Sequence, residues 1–414
     1  MGKQLFYLGQ LSKLLWLRAT LYAVTAVGAA LIAHALGPLA PAPFVEALSE
    51  DAAEELLNIM ASSMLAVATF SLATLVAASA AITTNASPRA AALMLDDRSA
   101  QNALAAFVGA FVFSIVGLIA TSLNYYDRES LFVLFAETLA VLAFVVLRLL
   151  GWVDQLSRIG RVSEAVDRVE AAARKALSHR SSFLGGVPAE GAPPDAEDLR
   201  ADQVGYVQHI DVARLDQIAK KHDLVIHLQV LPGAFLPLSR TVMQVQGSLN
   251  ESCKKALVSA VVIGGARTFE QDPRFGLVVL GEIASRALSP AVNDPGTAID
   301  AVGTAVRLLS VWGEEHWEQP PTATYERVHV PALSASEVFE DVFRPIARDG
   351  APLLEVGIAL QKGFRDLATA EATGFRDAAR HHSGRALRLA EAALVLDEDK
   401  DQLRALSREV LEAA

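Results

Sequence analysis

Three groups of residues in this 414-residue chain could do chemistry. The first is a single carboxylate, Glu137, inside a long apolar run. An acid in such a run faces protein, water or a cation rather than hydrocarbon. His34 and Asn58 fall at comparable depth in neighbouring runs and are its candidate partners. The alternative is that the run begins later and Glu137 sits at headgroup level.

The second group is a stripe. Between Ala61 and Ala81 about two-thirds of the residues are Ala, Ser or Thr. Asn58, Ser62, Ala66, Thr69, Ala73, Ala77, Ala80 and Thr84 recur at helical spacing. Small residues let helices approach closely, and hydroxyls bond across an interface or face water. The stripe therefore reads either as a packed interior helix or as one lining a polar pathway. On the second reading Asn58, Ser62, Thr69, Ala73, Ala77 and Thr84 line it.

The third group is Arg267 and Arg274 with Asn293 and Asp294. Asp294 followed by Pro295 is an N-cap and first-turn pair for a helix running to Trp312. Such a helix start beside arginines can receive an anion. The plainer reading is that the arginines, Arg286 included, form structural ion pairs with Glu270, Asp272 and Glu282.

Other groupings are weaker. No GxSxG, HExxH or kinase set is present, and Gly264-Gly265 fits no nucleotide fingerprint. His381 and His382 are adjacent and diverge on a helix; His209, His222 and His227 meet only if the tertiary fold gathers them. Asp397–Asp401 lacks the spacing and glycine of a calcium loop. Cys253 is the single cysteine, so an intramolecular disulfide and a multi-cysteine metal site are excluded. The expectation is a non-enzyme with no metal and no cofactor.

The elements that must position these residues fall into two compartments. Hydrophobic residues make up 52% of the chain and charged residues 20%. That is too apolar for an ordinary soluble protein and too charged for one wholly in lipid. A span needs about 20 apolar residues, and Leu14–Leu36, Leu56–Ile82, Leu104–Leu123 and Leu131–Trp152 meet that test. Gly109 and Gly117 in the third mark close helix contacts. The first run is too long for a cleaved signal and acts as an anchor. A net charge of -11 excludes nucleic acid as a partner. The lipid bilayer is the expected partner instead.

Lys and Arg in short loops set orientation. Lys3, Lys13 and, just inside the start of the first span, Arg18 mark its N-terminal side, Arg89 and Arg98 lie in the second loop, and Arg148, Arg158 and Arg161 mark the exit. The first loop has only acids such as Glu46, Glu50 and Asp51, so both termini are placed in the cytoplasm. Trp16 and Trp152 are expected at the inner interface, Tyr125 and Tyr126 at the outer one.

After residues 1–152, residues 153–180 read as a juxtamembrane amphipathic helix. Its stripe of Leu156, Ile159, Val162, Val166, Val169, Ala173 and Leu177 is placed to meet a neighbouring subunit. Residues 181–200 read as a flexible acidic linker and 201–250 as a small α/β module. Residues 251–414 read as mainly helical, with three or so helices after Ser334. The fold class is thus a membrane α-helical part of four spans plus a cytosolic α+β domain with a helical C-terminal part.

Two stretches carry a resemblance. Asn85-Ala86-Ser87-Pro88-Arg89, with Asp96, Asp97 and Gln101 after it, is one; Arg274-Phe275-Gly276-Leu277 through Ala291-Val292-Asn293-Asp294-Pro295-Gly296-Thr297-Ala298 is the other. Together they resemble a bacterial family of predicted integral membrane proteins, a domain of unknown function. The resemblance implies a four-span protein of the bacterial inner membrane with a cytosolic domain, and brings no site residues. The reading is a homo-oligomeric channel-like or transport-related protein passing an ion or small solute, or else a membrane-anchored sensor or scaffold.

Orientation is testable with single cysteines at positions 46, 101 and 126 in a Cys253→Ser background. An impermeant thiol reagent applied to whole cells labels positions 46 and 126 and spares 101; the reverse pattern inverts the topology.

Overall fold

The computed structural model describes residues 15–47, 51–95, 98–158, 161–181, 183–189, 191, 193–318, 323–372 and 374–413. Lys3, Lys13, Leu14, Glu50, Asp96, Asp97 and Ile159 lie outside them. The chain forms two units, one from residues 7–81 and 92–161, the other chiefly from residues 82–91 and 162–414.

The first unit is helical. Helix α1 (Leu15–Leu36) leads through a 3-10 turn at Gly37–Leu39 into the short α2 (Ala42–Ala47), then α3 (Ala52–Asn85). A short helix, α4 (Pro88–Leu95), occupies the second loop; α5 (Arg98–Ser122) and α6 (Arg128–Arg158) follow. Among the described residues, α1, α3, α5 and α6 are long and apolar enough to cross a membrane. Helix α3 has 34 residues, roughly 50 Å at the α-helical rise, against about 30 Å of hydrocarbon.

Side-chain packing fixes these helices. Phe107 and Phe113 of α5 are buried, as are Leu57 and Met60 of α3 and Leu134 of α6. Gly109 lets α5 approach α1: a Cβ there would stand 3.3 Å from the Tyr22 carbonyl oxygen. Gly117 instead faces a side chain, Leu57, at 3.1 Å. Arg18 donates through Nη1 to Asn102 Oδ1 at 2.7 Å, so its charge has a polar partner on α5. Trp152 is only 3% exposed, turned into the cluster of Ala100, Ala103 and Leu104, because the small residues of α5 leave room for an indole.

The second unit begins with α7 (Val162–Ser181). The described later half of its stripe is filled from within the chain rather than left for a neighbouring subunit. Val166, Val169, Ala173 and Leu177 are buried, and Ala173 lies directly against Gly276.

The expected linker is also corrected, since it carries two strands. β1 (Gly186–Pro188) pairs parallel to β8 (Tyr325–Val330), and β2 (Glu197–Arg200) pairs antiparallel to β6 (Thr241–Gln246). With β4 (Val225–Leu228) they form a five-stranded sheet ordered β1-β8-β4-β6-β2. A second sheet, β5-β3-β7, joins Phe235–Leu236, Gly205–Ile210 and Val261–Gly264. Helices α8 (Val212–His222) and α9 (Glu251–Val258) complete the module. It does not close at residue 250, because β7 and β8 come from later sequence.

The remaining helices are α10 (Phe275–Ala287), α11 (Pro295–Glu318), α12 (Ala335–Asp349), α13 (Leu354–Ala368), α14 (Phe375–Ala393) and α15 (Asp397–Glu412). Four helices follow Ser334 because the chain turns extended at Leu394 and restarts with Asp397, Glu398 and Asp399 in the first turn of α15. Acids there favour a helix start through the macrodipole.

The closest helix contact in this unit supplies a test. A Cβ on Gly276 would stand 2.5 Å from Ala173 Cβ and 3.0 Å from its Cα. Gly276→Ala is expected to lose about 1–3 kcal/mol through overpacking, more than the helix propensity gained. Adding Ala173→Gly should recover part of the loss in thermal unfolding of the full chain. Unchanged stability in Gly276→Ala would disprove the close packing.

Candidate functional site

The two sequence motifs meet. Thr84 lies in the last turn of α3, where carbonyls lack an intrahelical partner. Its carbonyl accepts the Nε–H of Arg286 at 2.7 Å. Two residues past the end of α3, Ser87 caps α4: its Oγ accepts from the amides of Arg89 at 3.1 Å and Ala90 at 3.3 Å, with Pro88 as the first helical residue. The same hydroxyl donates to Glu282 Oε2 at 3.1 Å, and Arg89 pairs with Glu282 Oε1. Glu282 and Arg286 stand four apart on α10 and so share one face. The segment from Thr84 to Arg89 is thereby bonded to α10 at three points.

Sequence reading placed Glu282 and Arg286 in a local ion-pair cluster and did not connect them to the Asn85–Arg89 motif. The available signal was their i, i+4 spacing on an otherwise apolar helix.

The four residues expected to hold a ligand do not form one site. Arg274 immediately precedes α10 and Asn293 and Asp294 follow it. Thirteen residues of helix separate them by roughly 20 Å. Asp294 is used locally: Oδ1 accepts the Thr297 amide at 3.1 Å and Oδ2 its hydroxyl at 2.7 Å. Those bonds hold its carboxyl below the usual range. Asn293 adopts φ 51°, the left-handed conformation Asn tolerates in a tight turn.

Arg267 and Arg274 are brought together. Arg267 donates to both oxygens of Asp272, Nε at 2.7 Å and Nη2 at 2.9 Å. Asp272 Oδ1 also accepts the amides of Arg274 and Phe275, each at 3.0 Å. Burial pushes the Asp272 carboxyl up, opposed by Arg267 and those two amides. Arg274 bonds Asp341 through Nε and Nη2 and Glu337 through Nη1 at 2.7 Å.

On α3, Asn58, Ser62, Thr69, Ala73, Ala77 and Thr84 are all exposed, as are Ala66 and Ala80. The opposite face, with Leu57, Met60, Met64, Ala68 and Leu75, is buried. The stripe is therefore not interior packing within this four-helix unit. Its hydroxyls bond their own helix: Ser62 donates to the Asn58 or Ile59 carbonyl and Thr69 to that of Leu65 or Ala66, each at 3.0 Å.

Glu137 is half-buried, and its buried Oε2 has no hydrogen-bond partner among the described residues. His34 stands elsewhere, with Nδ1 3.4 Å from Ser130 Oγ and its ring 4.8 Å from that of Tyr125. His227 stacks on His329 at 4.5 Å. Among the described residues no group of three His, Cys, Asp or Glu is arranged to hold a metal.

Four apolar helices joined to an α+β domain define a polytopic membrane protein. The chain belongs to the family described as predicted membrane protein DUF2254, whose model matches residues 12–366. It is 34% identical over 116 residues to an uncharacterized protein of Mycobacterium bovis and to one of Mycobacterium tuberculosis. That stretch is 27% of this chain and 22% of each relative, less than a quarter of their length. No solved structure matches.

The junction is open to a double-mutant cycle. Arg89 and Glu282 are 56% and 28% exposed, so their coupling is expected at about 0.5–1 kcal/mol in Arg89→Ala, Glu282→Ala and the double variant. Additive losses in unfolding would show that the two do not interact.

Proposed function

We propose that the chain is the subunit of a homo-oligomeric channel-like or transport-related protein of the bacterial inner membrane. The second span borders the route, and the cytosolic domain acts on it as a regulator. The observation that carries this reading is the outward stripe on α3. The stripe of Asn, Ser, Thr and Ala runs beside exposed Ile59, Leu65, Phe70, Leu72 and Val76, and its small polar residues gain little from lipid chains. It is better matched by neighbouring copies around a polar route, in which hydroxyl oxygens replace part of a solute's hydration. Helix α3 runs unbroken to Asn85, so a shift of α10 at Glu282 and Arg286 would be passed into the span.

A sensor or scaffold anchored by its spans is the second reading. It is favoured by the arginine-lined cavity of the water-soluble domain described below, and does not need the stripe to be wet.

The two readings separate in reconstituted bilayers. On the first, detergent and native-lipid mass measurements give more than one subunit, and wild type passes ions or small solutes. Thr69→Leu and Ala73→Leu then sharply lower flux by narrowing and dewetting the route while assembly persists. Glu137→Gln shifts cation preference if that carboxylate faces the route. A monomer in both settings, or no flux under any voltage, tension or pH, removes the channel reading.

A further inference from the structure

We infer that the cavity bounded by Arg240, Arg267 and Arg274 is a binding site for a small molecule carrying a phosphoryl group. The cavity measures about 330 Å³, floored by the Gln229–Ala234 turn and flanked by Glu337. That volume suits a phosphoryl group with a small organic body. The inference does not depend on any reading of conduction.

The charges are layered. Asp272 and Asp341 anchor Arg267 and Arg274, yet neither carboxylate lines the cavity. Three arginines therefore line the cavity with Glu337, and Asp272 and Asp341 balance two of them from just outside it.

Each guanidinium is prepared differently. Arg267 spends Nε and Nη2 on Asp272, and its plane rests over the Phe275 ring at 5.1 Å. The fixed plane leaves Nη1 as its unengaged donor group. Arg240 is exposed and donates to the Phe235 carbonyl at 3.2 Å. It forms no ion pair among the described residues. Arg274 Nη1 is held by Glu337, whose side chain is 58% exposed; an exposed pair of this kind is cheap to exchange for a ligand oxygen.

The turn is built to bring main chain beside these charges. Gly233 has φ 92°, and a Cβ there would lie 2.2 Å from Asp272 Oδ2, so only glycine fits. With the Nε–Nη2 edges of Arg267 and Arg274 held by Asp272 and Asp341, Arg240 and the Nη1 groups of the other two are the donors left for phosphate oxygens.

The test is calorimetric titration of the full chain in detergent with inorganic phosphate and, separately, glycerol 3-phosphate; sulfate is the control. Saturable binding of either phosphate with weaker sulfate binding is expected. Tighter binding of inorganic phosphate assigns a free anion; tighter binding of glycerol 3-phosphate assigns an organic phosphate or lipid headgroup. Arg240→Gln, at an exposed position, should weaken binding about tenfold, the worth of one charge-assisted hydrogen bond. Glu337→Gln should tighten it by removing the competing carboxylate. The assignment is overturned by no saturable binding up to about 10 mM, well beyond a millimolar constant. It is equally overturned if sulfate binds as tightly as phosphate, or if both variants bind like wild type. All of these outcomes are independent of flux.

Discussion

Helix α10 is buried on nearly every face, and the arrangement of the second unit follows from that. Phe275, Leu277, Val279, Leu280, Ile283 and Ala284 are all buried. Two glycines set how near the neighbours come. Gly276 admits Ala173 of α7, and Gly281 admits the main chain of α12, where a Cβ would stand 3.1 Å from the Asp341 carbonyl oxygen. A helix packed this way has little freedom to shift alone, because interiors are close-packed and transmit displacement. Asp272 fixes where it starts by accepting the Phe275 amide. The polar edge left to it bonds the segment after and at the end of α3, Arg286 to Thr84 and Glu282 to Ser87 and Arg89.

That edge gives the first motif its physical sense. Asn85–Arg89 is a helix end, a cap and a helix start within five residues. Ser87 both caps α4 and donates to Glu282, so one hydroxyl ties local geometry to tertiary contact. Arg286 meets a carbonyl at the negative end of α3, where a cation is favoured. These bonds are individually modest, since Arg89 is largely exposed. Their value lies in acting together on one helix end.

Charge is handled in the same economical way around Arg267 and Arg274. Buried carboxylates are costly unless hydrogen-bonded and paired; Asp272 has a bidentate arginine and two amides. The acids hold the arginines from behind and leave guanidinium groups toward the cavity. In the membrane unit the pattern is reversed. The Ser62 and Thr69 hydroxyls of the exposed stripe are satisfied by carbonyls of their own helix.

Sequence by itself determined the four spans, because lipid demands about 20 apolar residues with internally satisfied backbone. It also determined local features whose causes lie within a few residues: the Asp294-Pro295 helix start and the α3 stripe as a face. Tertiary structure decided which way such faces point. Val166, Val169 and Ala173 read as an oligomer surface but are covered by their own chain, because periodicity shows that a face is apolar and not what covers it. Strands β1 and β2 were hidden in a Gly- and Pro-rich segment, since three or four residues gain strand character only from distant partners such as Tyr325–Val330. Arg267 and Arg274 were legible as a pair, but Arg240 joins them only through the turn at Gly233. Asn293 and Asp294, close to Arg274 in number, are carried away by the length of α10. Short-range causes can be read along a chain, whereas pairing, covering and convergence belong to contacts between residues far apart in it.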